Sequence, residues 1–175
     1  MNFFIISQDS RISNYAEPIG VFNAIDVDAV QRADIDAFDD MPVQLSIKEK
    51  EENEYLDFIE KPVPMISEKM KQVFEIYQKD IFFKPVVLTD IKKMKQALYW
   101  ITIPPKVKCL SGKSEFNKDG SLRKLVIDSK KASFYRVFKI DGILEDFIIV
   151  NTDMAEGILR RDLFGFLLGK TDQEA

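Results

Sequence analysis

At 175 residues the chain has the length of one domain and can bury roughly two-thirds of the surface its unfolded form exposes, and with 46% hydrophobic residues it lies outside the disordered class. Histidine is absent and Cys109 is the single cysteine, which excludes Ser-His-Asp and Cys-His catalysis, an internal disulfide and a thiolate metal cluster, and fits a reducing, cytoplasmic compartment. The net charge of −4 offers no basic surface for a nucleic-acid backbone, and no window approaches the ~20 apolar residues needed to span a bilayer.

The N-terminal run Met1-Asn2-Phe3-Phe4-Ile5-Ile6-Ser7 has no basic leader and too short an apolar stretch for a signal peptide, and reads as a first strand. Charge is then unevenly placed. Gly20 to Glu60 holds twelve acids against Arg32, Lys48 and Lys50, a balance of −9 that leaves +5 for the rest of the chain. Such a region suits a basic partner. Its Asp-x-Asp pairs at Asp26/Asp28 and Asp34/Asp36 lack the further acid, the glycine and the closing glutamate of a calcium loop, so they read as a solvated loop or helix start.

Pro42 to Ile47 alternates apolar and polar residues as a half-buried strand does, Tyr55 to Glu60 reads as another, and Lys48 to Asn53 becomes an exposed turn between them. After Pro62 and Pro64, Ser67 is a helix N-cap with Glu68 in the first turn. Met70, Val73, Phe74 and Tyr77 follow at helical spacing, which predicts an amphipathic helix over Ser67–Lys79. Phe82 to Leu88 is extended, with Pro85 favouring an edge or bulge, and Leu98 to Ile103 has the β-branched and aromatic content of a central strand.

Gly112-Lys113-Ser114 resembles the end of a phosphate-binding loop, but Val107 stands where that loop needs glycine, so a surface turn is expected. Three runs, Leu122–Ile127, Phe134–Ile140 and Ile143–Val150, predict a meander, the last two joined by a tight type I′ turn at Asp141-Gly142. Lys139 is expected to face outward from its strand. A last helix starts near Thr152 or Asp153 with Met154, Ile158 and Leu159 inward. With apolar residues on both strand faces, the sheet is expected to be covered on each side by the two helices. The fold class is therefore α+β: a mostly antiparallel sheet of meanders and hairpins packed with two or three helices. It forms one domain over residues 1–175, less regular over 1–41.

Candidate chemistry is sparse. Cys109 reads as a small buried hydrophobe. Among 29 acids some carboxylate pair always has the spacing for hydrolysis, so that signal selects nothing. The aromatic–basic clusters Phe134-Tyr135-Arg136 and Phe82-Phe83-Lys84 read as core, and Trp100 as a core or subunit-contact residue. No catalytic residue, metal ligand or cofactor is assigned.

Several pieces carry a family pattern: the Ser67-Glu68-Lys69-Met70 helix start with Phe74 beyond it, Phe83-Lys84-Pro85-Val86, Leu98-Tyr99-Trp100-Ile101-Thr102-Ile103, and Phe138-Lys139-Ile140 followed by Asp146-Phe147-Ile148-Ile149-Val150-Asn151 and a short closing helix. Over roughly residues 42–165 the chain resembles one of the immunity-protein families of bacterial polymorphic toxin systems, the eleventh in their numbering and formerly a domain of unknown function. Related domains often carry an arginine where this chain has Lys139, and residues 1–41 match no part of the pattern.

The resemblance implies a cytoplasmic, noncatalytic protein that neutralises a cognate toxin by direct binding. Asp34, Asp36, Asp39 and Asp40 are the candidate partner-binding residues, since an acidic surface speeds encounter with a basic toxin. Neither nucleic acid nor membrane is an expected partner. Two other readings stand beside this one: a carboxylate-dependent hydrolase of unknown substrate, marked by a pocket with converging acids, and a structural homodimer using Trp100 or an exposed strand edge.

Overall fold

In a computed structural model describing residues 1–175, the chain runs through β1 (Phe3–Gln8), α1 (Val21–Ala24), α2 (Val27–Gln31), a 3-10 turn at Ile35–Ala37, β2 (Val43–Ser46), β3 (Phe58–Ile59), β4 (Met65–Ser67), α3 (Glu68–Tyr77), β5 (Phe82–Asp90) and β6 (Lys95–Ile103). It continues through β7 (Lys106–Val107), β8 (Glu115–Phe116), β9 (Leu122–Lys124), β10 (Val126–Asp128), α4 (Ser129–Ala132), β11 (Val137–Ile140), β12 (Ile148–Asn151), α5 (Thr152–Leu159), β13 (Phe166–Lys170) and β14 (Asp172–Glu174). Two five-stranded sheets dominate, in the orders β13-β1-β12-β11-β7 and β2-β5-β6-β4-β3. Their internal pairings are antiparallel except for β11–β7 and β2–β5, so the fold is α+β. No helix is long and apolar enough to cross a membrane.

The second sheet is built on the β5–β6 hairpin, whose register runs from Phe82↔Ile103 to Asp90↔Lys95. Lys84, Val86, Leu88 and Asp90 alternate onto the buried face of β5, so two charged residues bracket an apolar pair. Pro85 lies one residue outside the first β2 rung, Val43↔Val86, where its missing N–H costs no ladder bond. β6 is interior, as its composition predicts. Trp100 is half-buried on it: its indole N–H donates to Glu68, and the Lys71 ammonium lies 4.2 Å from the ring centroid.

α3 starts as its sequence dictates, with the Ser67 hydroxyl accepting from the Met70 amide at 3.1 Å, and buries Met70, Val73 and Phe74. α5 starts likewise, with Asn151 accepting from Met154 N, and buries Met154 and Ile158; Leu159, expected inward, is exposed at the helix end. These helices share a core with Ile6, Phe58, Ile66, Val137, Ile148 and Val150 between the two sheets. The opposite face of the first sheet is covered, though not by a long helix as expected. Phe3, Phe138, Ile140 and Ile149 pack there against Val107, Cys109, Ile127 and Ala132, contributed by the β7–α4 stretch.

The C-terminal meander is only partly realised. β11 and β12 pair antiparallel, Val137↔Val150 and Phe138↔Ile149, but β10 leaves the sheet and pairs in parallel with β14. Asp128 explains the departure: its carboxylate accepts from Lys130 N and Lys131 N, nucleating α4 where a direct hairpin would need a turn. Gly142 does adopt a positive φ of 92°, yet the strands stop at Ile140 and resume at Ile148, so the connection is a loop over 141–147. Within it Glu145 accepts from Leu122 N at 2.7 Å and Asp146 turns in to meet Lys139, which takes both residues out of the ladder.

Further expectations are corrected at single residues. Lys139 is buried, because both faces of β11 are covered and its ammonium finds partners inside. Phe134 is 91% exposed: it lies in the turn between α4 and β11, outside the strand that would have carried it inward. Tyr55–Glu60 yields only the two-residue β3, because Asp57 just before it is engaged by Phe164 through both its backbone amide and its carboxylate. Residues 1–41 are irregular only after β1, which pairs on both sides within the first sheet.

Candidate functional site

The acidic segment is a shaped surface fastened to the core from beneath. α1 begins after Gly20 at φ 75°, and Val21 and Ile25 point into the core beside the second sheet. Asp26 caps α2 by accepting from Ala29 N at 3.0 Å, and Val27 and Val30 are buried. Ala33 at φ 56° turns the chain into the 3-10 turn, with Asp34 N donating to Ala29 O at 2.9 Å. Phe38 then stacks on Phe82 with ring centroids 6.2 Å apart.

Two buried lysines complete the fastening. Lys84 Nζ donates to Asp39 O at 3.1 Å, Asp39 Oδ1 at 2.9 Å and Met41 O at 2.9 Å, so all three of its protons are used on one stretch of chain. Lys139 Nζ donates to Val30 O at 2.9 Å and lies 2.7 Å from Asp146 Oδ1. Burial pulls the Lys139 ammonium below the usual lysine range, and the Asp146 carboxylate opposes that pull. The Lys84 ammonium and the Met41 amide together hold the Asp39 carboxyl below the usual carboxylate range.

The predicted residues fall within this segment. Asp34 precedes the 3-10 turn, Asp36 lies in it, Asp39 and Asp40 follow it, and all four are exposed. Asp39 differs in being committed to Lys84, whereas Asp34, Asp36 and Asp40, like Asp26 and Asp28, form no ion pair. Glu49, farther along, is neutralised by Lys92 at 2.7 Å. Five unpaired, exposed aspartates therefore fall within residues 26–40, and Glu51, Glu52 and Glu54 are unpaired and exposed farther along.

Sequence reasoning missed the apolar part of this surface. Phe22 is 74% exposed and Met41 64%, with Ile19 and Ile35 about half exposed. The signal was present as isolated apolar residues among acids in a stretch without strand or long-helix periodicity. Three depressions run along the segment and share residues: one joins Met41 and Lys84 to Ala24–Asp26, the next spans Phe22–Asp28, and the third joins Phe22 and Val27 to Glu60, Glu145, Asp146 and Phe147. The result is one continuous surface from Met41 to Phe147.

No protein-family model matches the chain, and no curated protein matches it either. The chemistry of the surface has to be read from its own residues. Burial pushes the Cys109 thiol up to about 11, away from the thiolate form. No group of three or more His, Cys, Asp or Glu side chains is placed to hold a metal ion. The arrangement is suited to contact: exposed apolar anchors set in a field of unpaired aspartates on a backbone held from below.

Proposed function

We propose that the protein is a noncatalytic binding module that engages a basic partner protein through the Ile19–Met41 surface. The observation that carries this reading is the coincidence, in one fastened segment, of unpaired Asp26, Asp28, Asp34, Asp36 and Asp40 with exposed Phe22, Ile35 and Met41. Unpaired like charges repel one another, and exposed apolar side chains gain nothing from water; both are relieved when a basic, partly apolar surface covers them. The aspartates steer the encounter, while Phe22 and Met41 set the lifetime of the complex. Because Lys84 and Lys139 hold the backbone in place, little ordering entropy opposes binding.

The resemblance of residues 42–165 to an immunity-protein family supports a toxin as the class of partner, neutralised in the cytoplasm by direct contact. Recovery of the tagged protein from lysate of its own cell, at low and high salt, tests the reading. One stoichiometric basic chain, released by salt, is the expected result. Recovery of the protein alone, or only with itself, at both salt levels would contradict it.

A further inference from the structure

Four strands bound the two large sheets, and one of them leaves its outer edge open along its length. β7 and β3 are two residues long, and β2 is met by the stretch before α1, where Ile19 N donates to Ser46 O at 2.9 Å. β13, at the end of the first sheet, pairs with β1 alone. The bonds at its two ends fix its alternation: Asp9 N donates to Gly165 O at 2.9 Å, and Thr171 N donates to Phe3 O at 3.0 Å. Backbone groups of Leu167 and Gly169 therefore face β1, while those of Phe166, Leu168 and Lys170 face outward and find no hydrogen-bond partner in the chain. Leu167, Gly169 and Lys170 are exposed, and Phe166 and Leu168 are half-buried.

An open edge of this kind takes another extended strand, and the residues of β13 select which one. We propose that β13 pairs antiparallel with β13 of a second copy of this chain, about a two-fold axis at Leu168, so that the two first sheets become one continuous sheet. In that register every outward N–H meets an outward C=O: Leu168 pairs with Leu168 of the second copy, and Phe166 with Lys170 of the second copy. On one face each Lys170 ammonium lies beside the Phe166 ring of the other copy. On the other face Leu167 lies across from Gly169, where a β-carbon would meet nothing within 4 Å, so the leucine covers bare backbone. The neighbouring registers fail. Centring on Phe166 needs the backbone of Phe164, whose amide and carbonyl are both spent on Asp57, and centring on Lys170 sets two lysines face to face. No β13 residue lines the depressions of the acidic surface, so this pairing is independent of the engagement of a basic partner.

A five-residue strand pairing lies at the small end of specific interfaces, so the dimer should dissociate in the range of roughly 10–100 µM. Sedimentation of the full chain from about 5 to 500 µM should show conversion from one copy to two over that range. Across the same series, amide hydrogen exchange should slow about tenfold at Phe166, Leu168 and Lys170, and stay unchanged at Leu167 and Gly169, which already donate to β1. Lys170→Pro removes an outward N–H without costing a bond to β1, so it should keep the parent's melting temperature and weaken the dimer at least about tenfold. A single-copy mass at every concentration, slowed exchange outside β13, or a folded Lys170→Pro that dimerises like the parent overturns the pairing. Exchange at the three amides that slows only when a different chain is added also overturns it, since the edge then takes a strand of a partner and not of a second copy.

Discussion

Lys84 and Lys139 each spend an ammonium on backbone carbonyls of the acidic segment, and this use of lysine was only half legible from sequence. Lys84 shares strand parity with Val86 and Leu88, so alternation alone assigns it to the inward face. Lys139 could not be assigned that way, because every residue of β11 is buried and the two faces carry no contrast. The energetic consequence is testable. Lys139→Met keeps the aliphatic stem but leaves Asp146 charged, 86% buried as a side chain that is only 14% exposed, and without its counter-ion. We expect a loss of about 3 kcal/mol in urea unfolding, read as a lower midpoint with unchanged slope. A neutral result would mean that the Lys139–Asp146 pair adds nothing net and that the segment is held by its apolar contacts alone.

Elements with a strong local signature were readable, and those defined by a distant partner were not. α3 announced itself through the Ser67 cap and the Met70–Phe74 stripe, and β6 through its β-branched and aromatic run. The parallel pairings β2–β5, β7–β11 and β10–β14 join segments far apart in sequence, and no local periodicity encodes which strand meets which. The β11–β12 connection failed for a different reason: Asp-Gly does favour a tight turn, but Glu145 and Asp146 have tertiary partners that outweigh it. The junction before β13 illustrates the same dependence on distant contacts. Gly165 has φ 89° and a β-carbon there would lie 2.7 Å from the buried Leu56 side chain. Gly165→Ala should therefore cost about 2–4 kcal/mol, combining left-handed strain with overpacking, and lower the melting temperature accordingly. A melting temperature within a degree or two of the parent would show that the Leu56 contact yields freely.

Over the whole molecule, the acidic asymmetry visible in the sequence survives folding but is redistributed. Glu17 and Glu49 pair with Lys48 and Lys92, while Asp26, Asp28, Asp34, Asp36 and Asp40 stay exposed without an ion-pair partner on residues 26–40. That the predicted Asp34, Asp36, Asp39 and Asp40 lie on one exposed stretch follows from their closeness in sequence; that Asp39 turns to Lys84 while the others remain free depends on β5, some forty-five residues away. The apolar half of the surface escaped the sequence reading because Phe22, Ile35 and Met41 each look like ordinary core candidates, and only the burial of their neighbours Val21, Ile25 and Val30 reveals that they are left outside.

The most direct measurement is the affinity of the recovered partner for the parent chain and for Asp34→Asn/Asp36→Asn/Asp40→Asn, at two ionic strengths. These substitutions keep shape and touch no ion pair. Binding through this surface predicts at least about tenfold weaker affinity at low salt, carried mainly by the association rate, and a gap that narrows as salt rises. Equal affinity for the two chains at low salt would place the contact elsewhere on the molecule and contradict the assignment.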